Sequence, residues 1–150
     1  MSRPLYSEAI DAAAAAIGAA VGFEIRVNPK SAIDPDEVGD HVLLIGAIAK
    51  GSSTVLGERL GVAARYEIEH SATLTFFAFG GEEADQDAAL ENAQMLAANA
   101  VLADPTLGGL VDDAAVGPPS DELLQAADTV AGAGLTMPVN FLYTAASAAG

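Results

Sequence analysis

The stretch RYEIEHSATLTFFAF, Arg65 to Phe79, decides how the chain is read. Tyr66, Ile68, Ala72, Leu74 and Phe76 fall on one side of a period-two pattern, and His70 joins them. Arg65, Glu67, Glu69, Ser71, Thr73 and Thr75 fall on the other. Apolar and polar residues that alternate in this way describe a strand with one buried face. At about 3.3 Å per residue the strand approaches 50 Å, longer than usual, so it should bend, bulge or run past its own sheet.

Working outward, Gly80-Gly81 makes a turn, and Glu82, Glu83, Asp85 and Asp87 crowd the start of the next element. Carboxylates there favour a helix N-terminus. Ala89, Ala93, Leu96, Ala97 and Ala100 mark one face of a helix over about 84–103, in a segment rich in strong helix formers. Pro105 stops it and biases Asp104 out of the helical region. Residues 106–117 read as a turn and a short strand, punctuated by Pro118-Pro119. From Val130 to Thr144, Leu135, Met137, Val139, Phe141 and Tyr143 alternate with Thr136, Asn140 and Thr144. Pro138 lacks a ladder donor, which predicts an edge strand or a bulge there. Residues 145–150 are small and expected to fray.

On the other side, Tyr6, Ile10, Ala13, Ile17 and Ala20 mark one face of a helix over roughly 5–20. Pro4 suits its first turn, Ser2 is a candidate N-cap, and Gly22 ends it. Phe23, Ile25 and Val27 alternate with Glu24 and Arg26 as a half-buried strand. Asn28-Pro29-Lys30 breaks it, and residues 31–40 read as a polar acidic loop. The apolar run of 41–49 resembles a strand covered on both faces. Residues 50–62, rich in glycine, serine and threonine, are predicted to be a flexible loop. The whole is one domain of class α+β, 1–150: a mainly antiparallel sheet with two helices packed on one face.

Composition narrows the function classes. The chain has 150 residues and no cysteine, which excludes disulfides and thiolate metal sites. Its 51% hydrophobic content includes 33 alanines and only 5% aromatics, so the core is built mainly from small aliphatics. Six basic residues stand against 21 acidic ones, net −15, a surface that repels nucleic acid and anionic membrane. All six bases (Arg3, Arg26, Lys30, Lys50, Arg59 and Arg65) precede residue 66, and 66–150 carries 13 acids and no base. Those acids are spread among periodic apolar residues, so the second half reads as folded and one-signed rather than as an acidic tail. No signal peptide or run of about 18 apolar residues is visible, and a soluble protein of a reducing cytoplasm is expected.

Each candidate chemical motif falls short of its spacing. His70-Ser71 lacks the Gly-x-Ser-x-Gly elbow of a hydrolase, and His70 reads as a packed or hydrogen-bonded core residue. His41 has no ligand pattern near it, and two separated histidines give no zinc signature. Asp34-Pro35-Asp36-Glu37 with Gly39-Asp40 has calcium-loop composition, but position 12 counted from Asp34 is Ile45, not glutamate. In GAIAKGS, Gly46 to Ser52, lysine precedes glycine, the reverse of a phosphate-binding loop. Glu67 and Glu69 share a strand face, yet glycosidase-like work also needs an aromatic sugar cleft; the plainer reading is a charged solvent or lumen face. No cofactor, metal or catalytic residue is assigned.

The segment DAALENAQMLAANAVLADPTLGGLV, Asp87 to Val111, resembles the small tail terminator (tail completion, minor tail) proteins of long-tailed phages and gene transfer particles. The motif consists of Leu102, Asp104, Pro105, Thr106, Leu107, Gly108, Gly109, Leu110 and Val111, and Tyr143-Thr144 matches the family's closing pair. The N-terminal helix and its Phe-x-Ile-x-Val strand fit more loosely, and region 31–62 departs in glycine content and length. The resemblance implies a tail-tube-like fold and a hexameric ring at the head-proximal end of the tail tube. That ring would end tube polymerisation and meet the tail-tube protein and the head connector. It implies a virion neck protein assembled in the host cytoplasm, with DNA only passing through the channel, no membrane partner and no catalysis. Within such a ring, Lys50, Arg59 and Arg65 would face Asp112 and Asp113 of the next copy in a head-to-tail interface, and Glu67 and Glu69 would face the lumen. Competing readings are an acidic nucleic-acid mimic, another neck or tube subunit of related fold, and a small hydrolase or isomerase with an unrecognised site.

Overall fold

The computed structural model describes residues 4–29, 42–59, 65–124 and 132–145. Helix α1 spans Leu5–Val21 and buries Ala9, Ile10, Ala13, Ala14 and Ile17. Pro4, not Ser2, occupies the N-cap position and offers no side-chain cap. Gly22 closes the helix at φ 88°, its N–H donating to the Gly18 carbonyl at 2.9 Å. Left-handed backbone of this kind is cheap only for glycine.

Strand β1 (Ile25–Val27) is short and runs parallel to β2 (Leu43–Arg59). β2 turns back into β3 (Arg65–Phe79), and helix α2 (Glu83–Ala103) follows. Then come β4 (Asp113–Val116), β5 (Ser120–Leu124) and β6 (Gly132–Ala145). The sheet has six strands in the order β1-β2-β3-β6-β4, with β5 also paired to β6. The class is α+β as expected. The sheet is mixed rather than wholly antiparallel, because β1 rejoins its neighbour in the same direction after a crossover.

The alternation of β3 survives intact. Ile68, His70, Ala72, Leu74, Phe76 and Ala78 are buried under α1 and α2, and Leu135, Met137, Val139, Phe141 and Tyr143 of β6 are buried with them. One helix stripe is shifted from its sequence reading. α2 buries Gln86, Leu90, Ala93, Ala97 and Val101, while Ala89, Leu96 and Ala100 are only half-buried. The rotation is tied at its start by Gln86, whose side-chain amide donates to the Gly80 carbonyl at 2.8 Å.

Two expectations are corrected. The predicted flexible loop over 50–62 is strand β2 as far as Arg59, paired with β3 down to Arg59 opposite Arg65; residues 60–64 lie outside the described residues. Glycine, serine and threonine sit there because the ladder to β3 supplies the order that their own propensities do not. The register shifts between Ala49 and Ser52, and again between Val55 and Gly57, so this long strand bulges twice. Pro138 is neither on an edge nor at a bulge: β6 is flanked by β3 on one side and by β4 and β5 on the other. The missing donor is tolerated because Pro138 faces the break between β4 and β5. Its carbonyl accepts the Gly117 N–H at 2.8 Å, and Gly117-Pro118-Pro119 passes opposite it without ladder pairing. A Cβ on Gly117 would stand 2.5 Å from the Pro138 ring, so the crossing needs glycine.

β5 is an element for which the sequence reading had no counterpart. The expected acidic loop, His41 and the calcium-like Asp34–Asp40 stretch lie outside the described residues, as do 146–150. Among the described residues, no helix is long and apolar enough to cross a membrane.

Candidate functional site

The helices cover one face of the sheet and leave the other with a polar, acidic end. Successive strands carry Thr54, Glu69, Leu142 and Asp113 in one cross-strand row, and Gly57, Glu67 and Thr144 in the next. Glu69 is exposed and Glu67 half-buried, both on the face away from the helices. Adjacent strands lie about 4.8 Å apart, so Glu69 and Asp113, two strands apart, are separated by roughly 10 Å. Among the described residues, no group of three or more His, Cys, Asp or Glu side chains has a geometry that could hold a metal ion.

The charged residues expected at a subunit interface are not brought together within one chain. Lys50 lies on β2, just beyond the last β1 pairing, Val27 with Ile48. Its N–H donates to Asn28 Oδ1 at 2.7 Å, so the Asn28 side chain closes the end of the β1 ladder. From Gly51 to Arg59 no described strand pairs with the outer edge of β2. Arg59 and Arg65 are direct partners at the far end of the β2–β3 hairpin. Asp112 and Asp113 stand on the opposite side of the sheet, at the start of β4. The Asp112 N–H donates to the Leu142 carbonyl at 2.8 Å, and Thr144 Oγ1 donates to Asp112 Oδ2 at 3.2 Å. Lys50 and Arg59 thus lie on β2, with Glu58 beside Arg59, Arg65 lies on the interior strand β3, and Asp112 and Asp113 lie at the β4 side of the sheet.

The Asp104–Gly109 motif is a self-contained reversal that delivers the chain from α2 to β4. Asp104 Oδ2 accepts the Gly108 N–H at 3.0 Å, and Thr106 Oγ1 accepts the Gly109 N–H at 3.2 Å. The Thr106 carbonyl takes the Val111 N–H at 3.1 Å. Leu107, Gly108 and Gly109 all have positive φ, 50°, 73° and 89°. Two glycines relieve that backbone, and Leu107, the non-glycine, is held there by burial of its side chain against the core. Pro105 blocks continuation of the helix. Asp104, Pro105, Thr106 and the two glycines thus have a mechanical use, to turn the chain from α2 toward Asp112 and Asp113 at the start of β4.

His70 is a packed, hydrogen-bonded core residue, as the sequence suggested, with 1% of its surface exposed. Its ring stacks on Tyr6 of α1, centroids 4.6 Å apart and planes 8° apart, and on Phe141 of β6 at 6.5 Å. Ser53 Oγ lies 2.7 Å from Nδ1, and the Gly51 N–H donates to Nε2 at 3.3 Å. A backbone amide can only donate, so Nε2 is the bare nitrogen and Nδ1–H donates to Ser53. That proton arrangement leaves no lone pair to activate the Ser53 hydroxyl, so the pair is not poised as a nucleophile and base. Burial pushes the His70 pKa below its ordinary value. The neighbouring Tyr143 hydroxyl is buried without a partner in hydrogen-bonding geometry; burial raises its pKa, and the nearby Ser53 hydroxyl opposes the rise. Ser53 and Gly51 were invisible to sequence reasoning, because only the bulged register of β2 against β3 sets them at His70.

No protein-family model matches the sequence, and no curated protein matches it.

Proposed function

We propose that the chain is a virion structural protein of the tail terminator kind, forming a ring at the head-proximal end of a phage tail tube. The observation that carries this reading is the placement of charge on the sheet. Lys50 and Arg59 on β2 and Arg65 on β3 lie toward one side of the strand order, with the acid Glu58 among them, and Asp112 and Asp113 lie at the β4 side. Bases toward one side and acids at the other favour head-to-tail contact between copies, and such a heterologous contact closes into a ring when the rotation permits. The helix-free face, with Glu67 and Glu69, suits a channel wall that lets DNA pass without binding, since each copy adds a net charge of −15 and like charges repel phosphate. The resemblance of Asp87–Val111 to tail terminators supports the same reading, and six copies is the number it implies.

Arg59→Glu with Arg65→Glu tests the contact. Ring formation by the full chain, followed by light scattering, should be impaired, and unchanged assembly would contradict the interface. A monomer that binds basic proteins tightly at low salt would instead point to an acidic mimic of nucleic acid. Rings that join tubes without stopping their growth would point to another neck or tube subunit.

A further inference from the structure

The bulge between Ala49 and Ser52 interrupts the β2–β3 ladder. Beyond it, Val55 and Leu56 are 46% and 53% exposed. A bulge bends and twists its strand, so its geometry aims everything outward of it. Gly51 sits so close to β3 that a Cβ would collide with the Ser71 carbonyl. Its N–H turns to His70 Nε2, and Ser53, the cross-strand partner of His70 just past the bulge, takes the proton of Nδ1. Both ring nitrogens thus bind β2, one inside the irregularity and one beside it.

We infer that His70 is a pH-sensitive latch on this bulge. Neutral, it ties Gly51 and Ser53 to the core; protonated at Nε2, it sets an N–H against the Gly51 N–H, removes the acceptor and lets the bulge change shape, which re-aims the outer hairpin. Among the described residues, the titratable side chains around the ring are Tyr6 of α1, which stacks on it, and Tyr143 of β6, whose pKa burial raises. Phe141 from β6 and Ser53 from β2 add no charge. Burial lowers the His70 pKa. The sign follows: the neutral ring's support is complete above the ordinary histidine value of 6.5 and is lost as pH falls from there toward the lower folded value. The inference does not depend on the ring reading.

Nitrogen NMR of the full chain near neutral pH should show the Nδ1–H tautomer at His70. Amide hydrogen exchange, expressed as protection factors, then follows Gly51 and Ser53 on acidification. An opened bulge leaves the ring buried but frees Nε2 to take a proton, so Gly51 protection should fall by about tenfold per pH unit below the pKa of that buried ring, which lies under 6.5. Leu74 and Phe76 should keep theirs. In His70→Gln, whose side-chain oxygen accepts without titrating, Gly51 protection should stay flat. An Nε2–H tautomer, pH-independent protection of Gly51 in the wild type, or an equal slope at Leu74 would each overturn the latch. The wild-type measurements decide the matter even if the variant does not fold.

Discussion

The two faces of β3 carry the same backbone and obey different rules. On the covered face, Ile68, Ala72, Leu74, Phe76 and Ala78 are fully buried against two helices. On the open face, Glu69 and Thr73 are exposed, Glu67, Ser71, Thr75 and Phe77 half-buried, and Phe79 buried at the strand's end. Packing dictates the first set, where a change of one methylene is felt. Charge and hydrogen bonding shape the second, where the chain is free to specify what it meets. The difference separates what holds the protein together from what it presents at its surface.

The comparison breaks most visibly at Phe76. Phe76→Ala should lower unfolding free energy by about 3–5 kcal/mol, whereas Thr75→Ala on the other face should change it by less than about 1 kcal/mol, both read by urea denaturation. Equal losses would mean that the open face is packed as well. Gly117→Ala sharpens it next. Gly117 passes closely against Pro138, and an added methyl there should cost about 1–3 kcal/mol by the same assay.

That passage also shows where the sequence stopped being legible. Period-two patterns in β3 and β6 and the alanine-rich stripe of α1 predicted their buried faces, because each is a local record of burial. Pro138 pointed to an edge because a missing donor is local, while the break between β4 and β5 that accommodates it is made by residues about twenty positions away. The glycines and serines of 50–59 read as a loop because their strand state is imposed by pairing with β3. At the sites, His70 was legible as a core histidine from its place on the apolar side. Its partners Gly51 and Ser53 were not, since their positions depend on a bulge with no sequence signature.

Smaller effects refine the comparison. Tyr143→Phe removes a buried hydroxyl that has no partner in hydrogen-bonding geometry. Thermal unfolding should show it neutral or stabilising by up to about 1 kcal/mol, against the rule that changes on the covered face destabilise. A clear loss would mean that the Ser53 hydroxyl is a working partner. Smallest of all, Glu67→Gln with Glu69→Gln should alter stability by no more than about 0.5 kcal/mol per site. The same pair should strengthen retention of DNA by assembled rings at low salt, since it removes negative charge from the proposed lumen. Altered stability with unaltered DNA retention would place these glutamates in a packing role instead.

The proposed ring would be closed by the bases of the β2–β3 hairpin meeting Asp112 and Asp113 of the next copy. Particle mass measured by light scattering on the purified full chain, with negative-stain images of the same sample, tests it most directly. The account predicts closed rings of a single size, lost in Arg59→Glu/Arg65→Glu and at least partly restored when Asp112→Arg and Asp113→Arg are added. A monomer at every concentration, or rings indifferent to these reversals, would contradict it.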